Sequence, residues 1–89
     1  MVIVRFTSHL QRHLAAPACE AAGATVREVL DAVLAANPAL RGYVVDDQGR
    51  LRKHVAVFVD GRMVADRATL AEPVREGGEV FVMQALSGG

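Results

Sequence analysis

The chain has 89 residues, of which ten are basic, ten acidic and one a cysteine. A domain of this length buries about 60 to 65% of the surface its unfolded chain exposes, enough for one compact core and not for two. The cancelled charge leaves no excess positive field to hold a nucleic acid or an anionic membrane, and the lone Cys19 excludes an internal disulfide or a multi-thiolate metal site.

"VIVRF" (Val2–Phe6) alternates and is β-branched, which predicts a strand with Val2, Val4 and Phe6 on one face and Ile3 and Arg5 on the other. The opening "MVIVRF" carries no basic leader, and no apolar run is long enough to cross a bilayer, so the expected compartment is the cytoplasm. A polar turn region, "TSHLQRHLA", follows, with a second short strand near "PACEAA". "ATVREVLDAVLAANP" is the clearest helix. Thr25 caps it, Glu28 completes a capping box, and Val26, Val29, Leu30, Val33 and Leu34 form one apolar stripe before Asn37-Pro38 ends it.

"PALRGYVVDDQGRLRKH" (Pro38–His54) reads as connection, with turn chemistry at Asp47-Gln48-Gly49. "VAVFVDGRMV" reads as a hairpin closed by a type I′ turn at Asp60-Gly61. An irregular turn and a bend at Gly77-Gly78 then lead to a final strand, Glu79 to Met83. A single helix covering one face of a four- or five-stranded mixed sheet is an α+β fold in two layers. The first and last strands are the most apolar, so they are expected side by side and parallel in its centre, with the helix as the crossover.

Alternation assigns the faces of that sheet. Val55, Val57, Val59, Val80 and Val82 face the helix, and Phe58, Phe81 and Met83 point away, where Ile3 joins them. An apolar set on a solvent-facing sheet marks a partner-binding surface; the alternative is a twist or bulge that turns these side chains inward.

The chain closes on "QALSGG". Gly88 and Gly89 lack Cβ atoms and fit a channel too narrow for side chains. Fully extended, Ala85 to Gly89 reaches about 16 to 18 Å, enough to carry a terminal carboxylate from a docked domain into a buried centre. Such a carboxylate is ionised at neutral pH and unreactive toward nucleophiles. Attack on the α-phosphate of ATP would activate it as an acyl-adenylate. The chain has no phosphate loop of its own, since Gly77-Gly78 lacks the lysine and helix that such a loop needs, so another protein supplies the nucleotide site.

The strand, helix and late hairpin, the "L...VREGGEV" turn and the closing "QALSGG" resemble the ubiquitin-like sulfur carriers of the ThiS/MoaD family. The resemblance implies a β-grasp domain over residues 1–84 and a flexible tail over 85–89. It implies that Gly89 is adenylated by a ThiF/MoeB-like activating enzyme using ATP and becomes a thiocarboxylate that donates sulfur. Leu86, Ser87, Gly88 and Gly89 would enter the partner's active site, and Ile3, Phe58, Phe81 and Met83 would dock on it. The carrier would then be no enzyme, hold no tightly bound cofactor or metal, and be monomeric when free. "GRLRKHVAVFVDGRMV" looks most like carriers serving cysteine synthesis with a dedicated synthase; thiazole-forming carriers and small subunits of molybdopterin synthase share the tail. The competing reading is a ubiquitin-like modifier joined through Gly89 to target lysines.

The remaining polar residues carry less. His9 and His13 lack a third ligand and read as a solvated loop, and Cys19 reads as a small packed residue. Arg50 to His54 is a solvated hairpin end or a contact for an acidic partner. Asp46, Asp47 and Asp60 offer no carboxylate pair suited to catalysis.

Overall fold

The computed structural model describes residues 1–7 and 18–84. Within them the chain forms β1 (Val2–Phe6), β2 (Ala18–Ala21), α1 (Val26–Ala36), α2 (Pro38–Val44), β3 (Val55–Val59), β4 (Arg62–Met63) and β5 (Glu79–Gln84). The strands make one mixed sheet in the order β2-β1-β5-β3-β4. β5 is central and runs parallel to β1 and antiparallel to β3, as the apolar character of the first and last strands required.

The helix-facing side of the sheet is built from valine. Val2, Val4 and Phe6 of β1, Val55, Val57 and Val59 of β3, and Val80 and Val82 of β5 are all buried, against Val26, Val29, Leu30, Val33 and Leu34 of α1 in one continuous core. β-Branched side chains suit this surface because their restricted χ1 rotamers fit a pleated, fully packed face. The capping box forms with a small change of register. Thr25 Oγ1 accepts from the Glu28 N–H, while the Glu28 carboxylate reaches back to the Ala24 N–H, one residue before the cap.

Pro38–His54 corrects the expectation of a plain connection, because the stretch opens with a second helix. Pro38 occupies the first turn of α2, where its missing N–H costs nothing and its fixed φ is already helical, so the proline that ends α1 also starts α2. Leu40 and Val44, four residues apart, bury one side of this short helix. The expected hairpin is present. Asp60 and Gly61 have φ of 49° and 85°, both positive as a type I′ turn needs, and Val59 pairs with Arg62 across it.

At the other end of β5, Gly78 is buried where the chain passes close to itself. A Cβ there would lie 2.9 Å from the Arg75 carbonyl oxygen, while the real N–H donates to that oxygen at 2.9 Å. Asp60 fastens this bend to the hairpin. Its carboxylate accepts from the Glu79 N–H and from Arg75 Nε, each at 3.0 Å, and its own N–H donates to the Glu79 carbonyl. The Glu79 N–H above all, helped by Arg75 and Arg62, holds the Asp60 carboxyl below its usual pKa. No helix among the described residues is long and apolar enough to cross a membrane.

Candidate partner-docking face

The strand register decides which side chains share the face turned away from the helices. Phe58 of β3 stands directly opposite Phe81 of β5, with Arg5 on the far side of Phe81 and Met63 on the far side of Phe58. One row across the sheet therefore reads Arg5, Phe81, Phe58, Met63. In the neighbouring rows Met83 stands opposite Ala56, and Ile3 opposite Glu79. The four residues singled out by alternation thus lie on one face. Each is half-buried by its neighbours on the sheet and still presents surface. No bulge interrupts the paired register of β3 and β5, so the inward-turned alternative is not what the chain adopts.

The structure divides this set. Arg5 Nε pairs with Glu79 Oε2 at 2.5 Å, both side chains about half exposed, and the pair separates Ile3 from Phe81. Phe58, Phe81, Met83 and Met63 form the apolar part; Ile3 instead lines a shallow depression of about 420 Å³ with Arg5, Ala18, Cys19 and Glu20. An apolar centre edged by charge is the composition of a reversible protein interface. Met63 was missed by alternation because β4 has only two residues, too few for a period. At 58% exposure it is the most exposed large apolar side chain among the described residues. Hairpin arithmetic could have found it, since a two-residue turn at Asp60-Gly61 pairs 59 with 62 and 58 with 63.

The strand at the centre of this face is also the one that leads to the tail. Its last residue, Gln84, stands opposite Val55, and the Thr7 N–H donates to the Val82 carbonyl beside it. Thr7 Oγ1 and Gln84 Oε1 are buried without a hydrogen-bond partner, so polar capacity is left unmet at the root of the tail. Leu86, Ser87, Gly88 and Gly89 lie outside the described residues, as do His9 and His13. Cys19 packs against the core, and burial raises the pKa of its thiol, which agrees with a packing role. Among the described residues, no group of three or more His, Cys, Asp or Glu side chains could hold a metal ion.

The sequence pattern of the ThiS family matches residues 8–89. The chain belongs to the ThiS family. Small archaeal modifier protein 1 of Haloferax volcanii is 38% identical to it over 66 residues, 74% of this chain and 71% of that protein. Among solved structures, a chain of the Amycolatopsis orientalis BexX/CysO complex superposes with a TM-score of 0.86 at 27% identity, covering 100% of both chains. The crystal structure of SAMP1 from Haloferax volcanii gives 0.80 at 30% identity, covering 99% of this chain and 98% of that one. This ThiS-family chain accordingly has the ubiquitin-like β-grasp fold, in a family of small carriers and modifiers.

Proposed function

We propose that the protein is a sulfur carrier whose cargo is held on Gly89. The observation that carries this reading is an apolar sheet face centred on β5, the strand that continues into the tail, in a chain of the ThiS family. A partner docked on Phe58, Phe81, Met83 and Met63 stands beside the tail root, within the reach of about 16 to 18 Å that an extended five-residue segment allows. Leu86 to Gly89 then enters its active site, the two glycines passing where a side chain would not. Residues 1–84 act as the address and 85–89 as the handle.

The chemistry belongs to the partner, a ThiF/MoeB-like activating enzyme. A carboxylate oxygen of Gly89 attacks the α-phosphorus of ATP, pyrophosphate leaves, and an acyl-adenylate forms. Hydrosulfide sulfur then attacks the acyl carbon, the C–O bond to AMP breaks, and a proton is released to give the thiocarboxylate. Its sulfur passes to a synthase making cysteine, a thiazole or molybdopterin. ATP is the activating enzyme's substrate; the carrier supplies the Gly89 carboxylate that attacks it, and the groups that promote each step belong to the enzyme.

The name of the Haloferax relative, a modifier protein, supports a second reading in which the activated Gly89 is joined to target lysines. Intact mass spectrometry of the protein from its native cell separates the two. An oxygen-to-sulfur exchange confined to the C-terminal peptide supports the carrier. Glycyl-glycyl remnants on the lysines of other proteins, without that exchange, support the modifier. A mature chain that continues past Gly89 would overturn both. A variant with one residue added after Gly89 should fold normally and fail to be adenylated.

A further inference from the structure

The neutrality of the chain hides an uneven distribution of charge. Arg5, Arg27, Arg50, Arg62 and Arg75 each stand against a carboxylate, those of Glu79, Asp31, Asp46, Glu72 and Asp60 respectively. Among the described residues, the cations that make no ion pair are Arg41, Arg52, Lys53 and Arg67, and two of these, Arg52 and Arg67, donate to backbone carbonyls of the same region. Arg52 Nε donates to the Gly42 carbonyl at 2.6 Å, beside Arg41, and Arg67 Nη2 donates to the Arg52 carbonyl at 2.6 Å. A carbonyl partner fixes a guanidinium in place without neutralising its charge.

Two carboxylates of this region also lack an ion pair, Asp47 and Asp66, so the cations outnumber them. Asp66 is turned into its own loop, where it accepts from the Thr69 hydroxyl and from the N–H groups of Ala68 and Thr69. The other carboxylates without a cation, Glu20 and Glu28, belong to β2 and α1. The positive surplus lies at the tail root, because Arg52 and Lys53 lead directly into β3, whose first residue, Val55, stands opposite Gln84.

We propose that Arg41, Arg52, Lys53 and Arg67 dock on an acidic rim, made of Asp and Glu side chains, around the mouth of the channel that receives the tail. The inference rests on the tail-insertion reading above. A partner that takes in residues 85–89 must approach this end of the sheet, and opposite charge at the mouth speeds encounter and fixes the angle of approach. Preset guanidinium groups suit carboxylates, which they bind through two parallel hydrogen bonds. The apolar face supplies contact area, and this cluster sets orientation.

The test uses the full chain and a purified ThiF/MoeB-like activating enzyme from the same organism, with ATP–pyrophosphate exchange as the readout. Arg41 and Lys53 are exposed and stand in no ion pair among the described residues, so R41E/K53E should melt as the wild type does, and K53E alone serves if the double variant does not fold. The expected result is a KM for the carrier raised about tenfold or more at low salt, kcat within about twofold, and a flatter dependence of KM on ionic strength. An unchanged KM and salt dependence, with wild-type exchange intact, overturns the acidic rim and leaves tail activation standing. Absence of exchange with the wild type overturns both. Wild-type binding to a fluorescent single-stranded RNA at physiological salt, lost in R41E/K53E while KM stays unchanged, would assign the cluster to nucleic acid and also overturn the proposal.

Discussion

β3 and β5 present two faces cut from the same ten or so residues, and the faces do opposite work. Towards the helices every position is an aliphatic side chain with almost no exposure, such as Val57 and Val80 at 0%. Away from them the alternate positions, Phe58, Phe81 and Met83, are larger and only half-buried. If hydrophobicity alone sorted residues, the phenylalanines would be inside. Phe6 shows that the core does admit an aromatic ring; Phe58 and Phe81 are outside because the period of two sets them opposite the buried valines, and their rings leave apolar area on the open face.

The sharpest test of that contrast places one charge on each face. Val57→Asp should abolish cooperative unfolding in urea, because an unpaired buried carboxylate costs several kcal/mol where a whole domain has about 5–15 kcal/mol. Phe81→Asp should leave a cooperative transition and remove most binding to the activating enzyme, at least tenfold in KM, with stability lowered by only about 1 kcal/mol. Equal stability losses in the two variants would mean that the faces are not functionally distinct.

Smaller effects sharpen the picture on the helix side. Thr25→Ala should cost about 1 kcal/mol in urea denaturation, the usual worth of an N-cap, without changing activation by the partner enzyme. The loop beyond β4 contributes a pH dependence. Asp66 is held at about 2, against an ordinary 3.8, chiefly by the Thr69 hydroxyl and then by the Thr69 N–H. A carboxyl whose pKa folding lowers adds stability above its unfolded value and loses it as pH falls toward the folded one. Melting temperature should therefore fall on acidification from about pH 4 to pH 2, and Asp66→Asn should flatten that limb.

Local rules made the centre of the fold legible. Alternation in Val2–Phe6, Val55–Val59 and Glu79 to Met83 gave the sheet and its two faces, with β5 running one residue further to Gln84, and the Thr25-Glu28 pair gave the start of α1. α2 is hidden in the sequence because Asn37-Pro38 signals the end of one helix as strongly as the start of the next, a proline at a helix's first turn serving equally well as a start. The apolar set was legible from period two, except for Met63, which required the pairing across the hairpin. Charge placement was not legible. Arg5 and Glu79 are 74 residues apart, and the cations left over at 41, 52, 53 and 67 come together only once α2 and the loop before β3 are folded. Spacing along the chain contains no record of such pairings.

β5 has hydrogen-bonded neighbours on both sides, β1 running with it and β3 against it. A molecular motor that grips the chain beyond Gln84 and pulls would find no free edge to peel. It would have to shear two ladders together, with the Asp60 clasp holding the far end of the strand. The strand next to residue 85 is thus the one whose loss would cost the sheet most, and a pull on it is resisted by both neighbours at once.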